Sequence, residues 1–152
     1  MSYTTITQQL QSCLGSASIF THGTAQVSIG DEKIYSRGYT PVAVIGLEPG
    51  LRHIRETFKG GHVHEWHVLL TVGAQWKDAA SGPVQLNAAW QAVFDQIDTH
   101  PFLGLGANGG IRDAFVTDAD FQPIVMEYGT IKFAKVRLSV AIQEEVNVQE
   151  VE

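Results

Sequence analysis

The segment 81–110 restricts the fold of this chain more than any other. It opens on Ser81-Gly82-Pro83. Ser81 or Gly82 can cap a helix, and Pro83 suits the first turn, where a missing N–H has no intrahelical partner to lose. Leu86, Ala89, Trp90, Val93, Phe94 and Ile97 then recur at helical spacing, with Gln85, Asn87, Gln91, Asp95 and Asp98 on the other side. The spacing predicts a helix over 84–97 with one broad apolar face, and it puts Trp90 and Phe94 in the core. Thr99-His100-Pro101 ends it, because the residue before a proline is pushed out of the helical region. A glycine-rich stretch over 102–110 leads to a strand beginning near Ile111. Such a helix needs a sheet to cover, and most of the remaining chain reads as strand.

A second helix is expected over 4–14, where Ile6, Leu10, Cys13 and Leu14 share a face and Gly15 stands at the end. Cys13 reads as a small buried hydrophobe rather than a nucleophile. Ala25 to Ile29 alternates like a short strand, 30–33 reads as a turn, and Ile34-Tyr35-Ser36 is expected to return as its hairpin partner. The run 41–47 is a strand whose near-continuous apolar character implies burial on both faces. The segment 48–61 reads as a long charged loop, with Pro49-Gly50 as turn chemistry and Arg52, His53, Arg55, Glu56 and Lys59 along it. Loops of this length in compact domains serve either as working arms or as solvated connections.

A long strand over 62–76 places Trp66, Val68, Leu70, Val72, Ala74 and Trp76 on one face and Glu65, His67, Thr71 and Gln75 on the other. After the organising helix, 111–117 is a strand, 118–120 an acidic turn, and 121–127 a short edge strand containing Pro123. The last strand alternates Ala134, Val136, Leu138, Val140 and Ile142 with Lys135, Arg137, Ser139 and Gln143. An acidic tail over 144–152 closes the chain, as a solvated end or as a strand lent to a neighbour. The order implies an α+β fold of one domain over 1–152, with a mostly antiparallel β-sheet and helices packed on one face.

Composition narrows the function. The chain has 152 residues, 44% of them apolar, and a formal net charge of −6. That balance supports a real core and argues against an outer surface that grips nucleic acid phosphates. One cysteine excludes an intrachain disulfide. The N-terminus lacks the basic and apolar regions of a secretory leader, and no apolar run approaches the ~18 residues of a membrane span.

The enzyme reading rests on His62, His64 and His67. Alternate histidines on a strand can share a metal. Glu65 and His67, however, point to the opposite face from His62 and His64, and nothing places a third ligand. Ordinary strand-end histidines are the simpler account. No Gly-x-Ser-x-Gly elbow or phosphate loop occurs, and Gly104-Leu105-Gly106 follows a helix where a dinucleotide fingerprint would follow a strand. No catalytic residue, cofactor or metal is therefore assigned.

The order of elements resembles a known family. The N-terminal helix leads into the apolar strand 41–47, and an arginine-containing loop feeds the strand 65–76. The helix over 84–97 is followed by His100-Pro101-Phe102-Leu103-Gly104-Leu105, and a Tyr128-Gly129 turn enters the strand 134–142. In these features the chain is similar to the tail terminator (minor tail) proteins of long-tailed bacteriophages. It departs from them over 25–36 and in the histidine-rich stretch 52–67. The resemblance implies a structural virion protein made in the bacterial host cytoplasm. It would form a homo-oligomeric ring, a hexamer, on the head-proximal end of the tail tube. Its partners would be the tube protein and a head-completion or connector protein, with DNA passing through the pore without specific binding and no membrane involved. It carries no catalytic residue or cofactor. Interface candidates are Arg52, Arg55, Glu56 and Lys59 from the expected loop, with Lys135 and Arg137 from the polar face of the last strand. Another connector or tail-completion protein, a metal enzyme using His62 and His64, and a small binding module stay open as alternatives.

Overall fold

The computed structural model describes residues 2–55, 61–106, 109–128 and 130–147. Among these residues, two α-helices, α1 (Tyr3–Gly15) and α2 (Gly82–Thr99), accompany a six-stranded sheet. The strands are β1 (Val27–Ile29), β2 (Val42–Ile45), β3 (Gly50–Arg55), β4 (Gly61–Gln75), β5 (Ile111–Tyr128) and β6 (Ile131–Asn147). Their lateral order is β1-β2-β4-β6-β5, with β3 paired to the opening half of β4. Every pairing is antiparallel except β1 with β2. The fold is thus α+β with a mostly antiparallel sheet, as expected.

Both helices cover one face. Val68, Leu70, Val72 and Ala74 of β4 meet Val136, Leu138, Val140 and Ile142 of β6 beneath Ile6, Leu10 and Leu14 of α1 and Leu86, Ala89, Val93 and Ile97 of α2. The Gln96 amide joins the helices by donating to the Cys13 carbonyl at 2.8 Å and to Ser16 Oγ at 2.9 Å. Ser2 caps α1, its Oγ accepting the Thr5 N–H at 3.2 Å. At α2 the Ser81 side chain makes no capping bond. Asp78 Oδ1 instead accepts the Ala80 and Ser81 N–H groups just ahead of the helix. Gly82 lets α2 start directly on Trp76, whose ring lies 2.5 Å from where a Cβ would stand.

The β2 strand is buried on both faces, as its sequence implied. Ala43 and Ile45 join the helix-side core, while Val42 and Val44 join a second cluster with Ile34, Tyr35 and Phe133 on the reverse face. Tyr35 packs edge-on to Phe133 with centroids 5.3 Å apart.

Five expectations are corrected. The hairpin over 25–36 does not form. Only Val27–Ile29 is strand, it runs parallel to β2, and Glu32–Arg37 is a 3₁₀ turn. Asp31 Oδ1 accepts the Lys33 N–H at 3.0 Å, a local bond that turns the chain and delivers Ile34 and Tyr35 to the reverse face. The expected loop over 48–61 contains β3. The β2 strand pairs with β4 only over residues 70–73, and β3 supplies the partner that residues 62–67 lack.

The acidic turn at 118–120 lies inside a continuous β5. Its register shifts between Val116 and Asp118 and between Asp120 and Ile124 mark bulges. There Asp118 and Asp120 accept the N–H groups of Ala119 and Gln122. Phe94 is 37% exposed and Trp90 only partly buried, because the stripe Leu86, Ala89, Val93, Ile97 already fills the line facing the sheet. Finally, Glu144 and Glu145 belong to β6 rather than to a tail, and Glu144 is buried. The rest of the expected tail, 148–152, lies outside the described residues.

Candidate assembly surface

Four of the six interface candidates lie among the described residues, two on β3 and two on β6. Arg52 lies exposed on β3, opposite Glu65. Arg55 is the last residue of β3, opposite His62. Glu56 and Lys59 lie outside the described residues. Arg137 is exposed on β6, between Thr71 of β4 and Asp120 of β5. Lys135 is a correction. It is buried, with Nζ 5.0 Å from the Tyr35 ring centroid. The polar face of β6 suggested a solvent-facing lysine, but the 3₁₀ turn Glu32–Arg37 folds Tyr35 over it, and a cation on an aromatic face loses less by leaving water.

The opening end of β4 holds two polar clusters, one on each face. On the helix side, Glu144 Oε1 accepts the Trp66 indole N–H at 3.0 Å and lies 3.5 Å from His64 Nδ1. Tyr3 packs against Trp66 with centroids 5.7 Å apart, and its hydroxyl donates to the Gly46 carbonyl at 2.6 Å. Burial pushes the Tyr3 hydroxyl above its ordinary pKa.

On the reverse face Glu65 accepts the Gln143 amide at 2.9 Å and pairs with His67 Nε2 at 2.8 Å. The Gln143 bond, then the His67 bond, then the charges of His67 and Arg52 hold the Glu65 carboxyl below its usual range. Glu144 was legible as an even-numbered continuation of the apolar alternation ending at Ile142, but its charge made it read as tail.

Among the described residues, no group of three or more His, Cys, Asp or Glu side chains is placed to hold a metal ion. Cys13 is buried, which raises its pKa, with Gln96 offsetting part of the effect, so its thiolate is disfavoured. A shallow cleft of about 510 Å³ lies where β4 ends beside the β5–β6 turn, lined by Gln75, Trp76, Lys77, Glu127, Ile131 and Lys132. It contains no nucleophile–base pair. Among the described residues, no helix is long and apolar enough to cross a membrane.

The sequence did not announce the exposed aromatic patch along the outer side of α2 and β5. Trp90 stacks obliquely on Phe121 at 4.4 Å between centroids, Phe121 is 49% exposed, and Phe94 follows one helical turn from Trp90. Val125 continues the apolar exposure along β5. The β5 strand is also the last in the sheet, paired only with β6 among the described residues. Exposed apolar groups beside an open strand edge are a feature of surfaces through which proteins associate. No protein-family model matches this chain, and no curated protein matches it.

Proposed function

We propose that the chain is a subunit of a ring that caps the head-proximal end of a bacteriophage tail tube, stops tube polymerisation and joins the tail to head-completion proteins. The observation that carries this reading is the β5 edge, open among the described residues, with Phe94 and Phe121 exposed beside it and Trp90 partly buried against Phe121. A subunit that leaves such an edge uncovered is suited to a repeated head-to-tail contact, which closes into a ring when the rotation between copies allows it. The resemblance in element order supplies the identity of the ring, and the α+β fold agrees with it. The net charge of −6 suits a pore that passes DNA without holding it.

The test is electron microscopy of tails from a phage lacking this gene. Tails of uncontrolled length are expected, because nothing caps the tube. Tails of normal length still joined to heads would rule the role out. Tails of normal length detached from heads would instead assign the chain to the connector. On this reading the chain has no catalytic role.

A further inference from the structure

We infer that the outer edge of β5 is built to refuse an added strand, whether from a second copy of this chain or from another protein. This goes beyond the ring reading and does not depend on it. A strand at the end of a sheet presents a row of backbone donors and acceptors that another chain can pair with. The β5 strand is such an end, 18 residues long and paired only with β6 among the described residues. Left regular, an edge of that length is a template for open-ended association.

Its middle is not regular. From Val116 to Asp118 the strand advances two residues while β6 advances one, and from Asp120 to Ile124 it advances four while β6 advances two. Each surplus residue bends the strand and interrupts the ladder. Pro123 has no N–H to offer. The Ala119 N–H is taken by Asp118 Oδ1 at 2.8 Å, and the Gln122 N–H by Asp120 Oδ1 at 3.1 Å. Such local bonds compete with a ladder for the donors they occupy. Asp118 and Asp120 are also exposed, and like charges facing one another across paired strands are destabilising. The far end of the sheet is guarded in another way. The β1 strand is only Val27–Ile29, and the Gln11 amide of α1 donates to the Val27 carbonyl at 2.7 Å. Phe94 and Phe121 stay exposed beside β5, so association on this side is left to side chains.

The test is sedimentation velocity of the full chain across a concentration series, with thioflavin T fluorescence on incubation and thermal unfolding to confirm that each variant is folded. The main variant combines Asp118→Thr, Asp120→Thr and Pro123→Thr. It restores a donor at 123, releases those at 119 and 122, and puts strand-favouring residues along the edge. Its particles are expected to keep growing as concentration rises, while the unaltered chain reaches one finite size. Its thioflavin signal should exceed that of the unaltered chain at least about tenfold. If the triple variant unfolds, Pro123→Thr alone, a change at an exposed position, decides the question by the same growth. Glu32→Gln with Glu48→Gln removes two negative charges at exposed positions away from β5 and should leave the size unchanged.

A folded triple variant, or failing that a folded Pro123→Thr variant, that keeps the size of the unaltered chain at every concentration would overturn the inference. Equal growth of the Glu32→Gln, Glu48→Gln protein would overturn it too, by assigning the effect to net charge. Both results leave the ring reading standing. An unaltered chain that stays monomeric at every concentration, with and without tail tubes, would remove the ring reading and leave the edge inference to its own variants.

Discussion

The indole N–H of Trp66 donates to Glu144 Oε1 at 3.0 Å, joining β4 to β6 across 78 residues of sequence. The carboxylate is buried, with His64 Nδ1 3.5 Å from the same oxygen. Truncation to Glu144→Ala leaves the indole donor without this acceptor. Chemical denaturation should register a loss of about 1–3 kcal/mol. In a double-mutant cycle, Trp66→Phe should lose much less in the Glu144→Ala background than in the unaltered chain. Equal losses in both backgrounds would show that the bond contributes nothing to stability.

The burial order along α2 separates neighbouring residues. Leu86 and Val93 face the sheet, while Phe94 faces outward. Leu86→Ala should cost about 2–5 kcal/mol through the cavity it leaves. Phe94→Ala should cost under about 1 kcal/mol, in keeping with a surface position. A Phe94→Ala loss as large as that of Leu86→Ala would place Phe94 in the core, where helical spacing alone had put it.

Lys135 should behave as a residue of the interior. With its ammonium over the Tyr35 ring, Lys135→Met keeps the apolar stem and should lose about 0.5–2 kcal/mol. Lys135→Glu sets a carboxylate against the face of that ring and should lose more. Urea unfolding of the two variants checks the order. A fully stable Lys135→Glu protein that no longer assembles would return Lys135 to the interface.

Glu65 makes stability depend on acid. Its folded pKa is depressed, first by the Gln143 bond and next by His67. The stabilisation is therefore present above the unfolded value of about 4.3 and is lost as pH falls through the lower folded value. The melting temperature should drop as the pH falls below about 4.3. Glu65→Gln, which cannot ionise, should melt lower than the unaltered chain at pH 7 and show a shallower decline below about pH 4. Parallel declines for the two proteins would show that other carboxylates govern acid unfolding.

Much of the fold was legible along the chain because its largest elements have a clean period. The helix α2, the strand β4 and the strand β6 each bury one continuous apolar line, and the spacing of that line names the element. Burial of β2 on both faces was equally plain from Val42, Ala43, Val44 and Ile45.

Where the reading failed, a contact distant in sequence set the outcome. The residues of β3 look like loop because they are charged. They are strand because the opening half of β4 would otherwise have one bare edge. Ile34 and Tyr35 look like a returning strand until β2 takes the place beside β1 and leaves them to cover the reverse face.

Exposure at the candidate surface was hidden for the same reason. Spacing shows which residues share a helix face, but the width of the strip that touches the sheet is set by packing, and this left Phe94 outside. Phe121 and Trp90 are 31 positions apart and meet only because β5 runs beside α2. Lys135 and Arg137 have the same parity in one strand, yet the turn carrying Tyr35 covers the first and not the second. Local periodicity is a property of consecutive residues. Which side of each element meets water depends on elements far along the chain, and that is decided when the sheet closes.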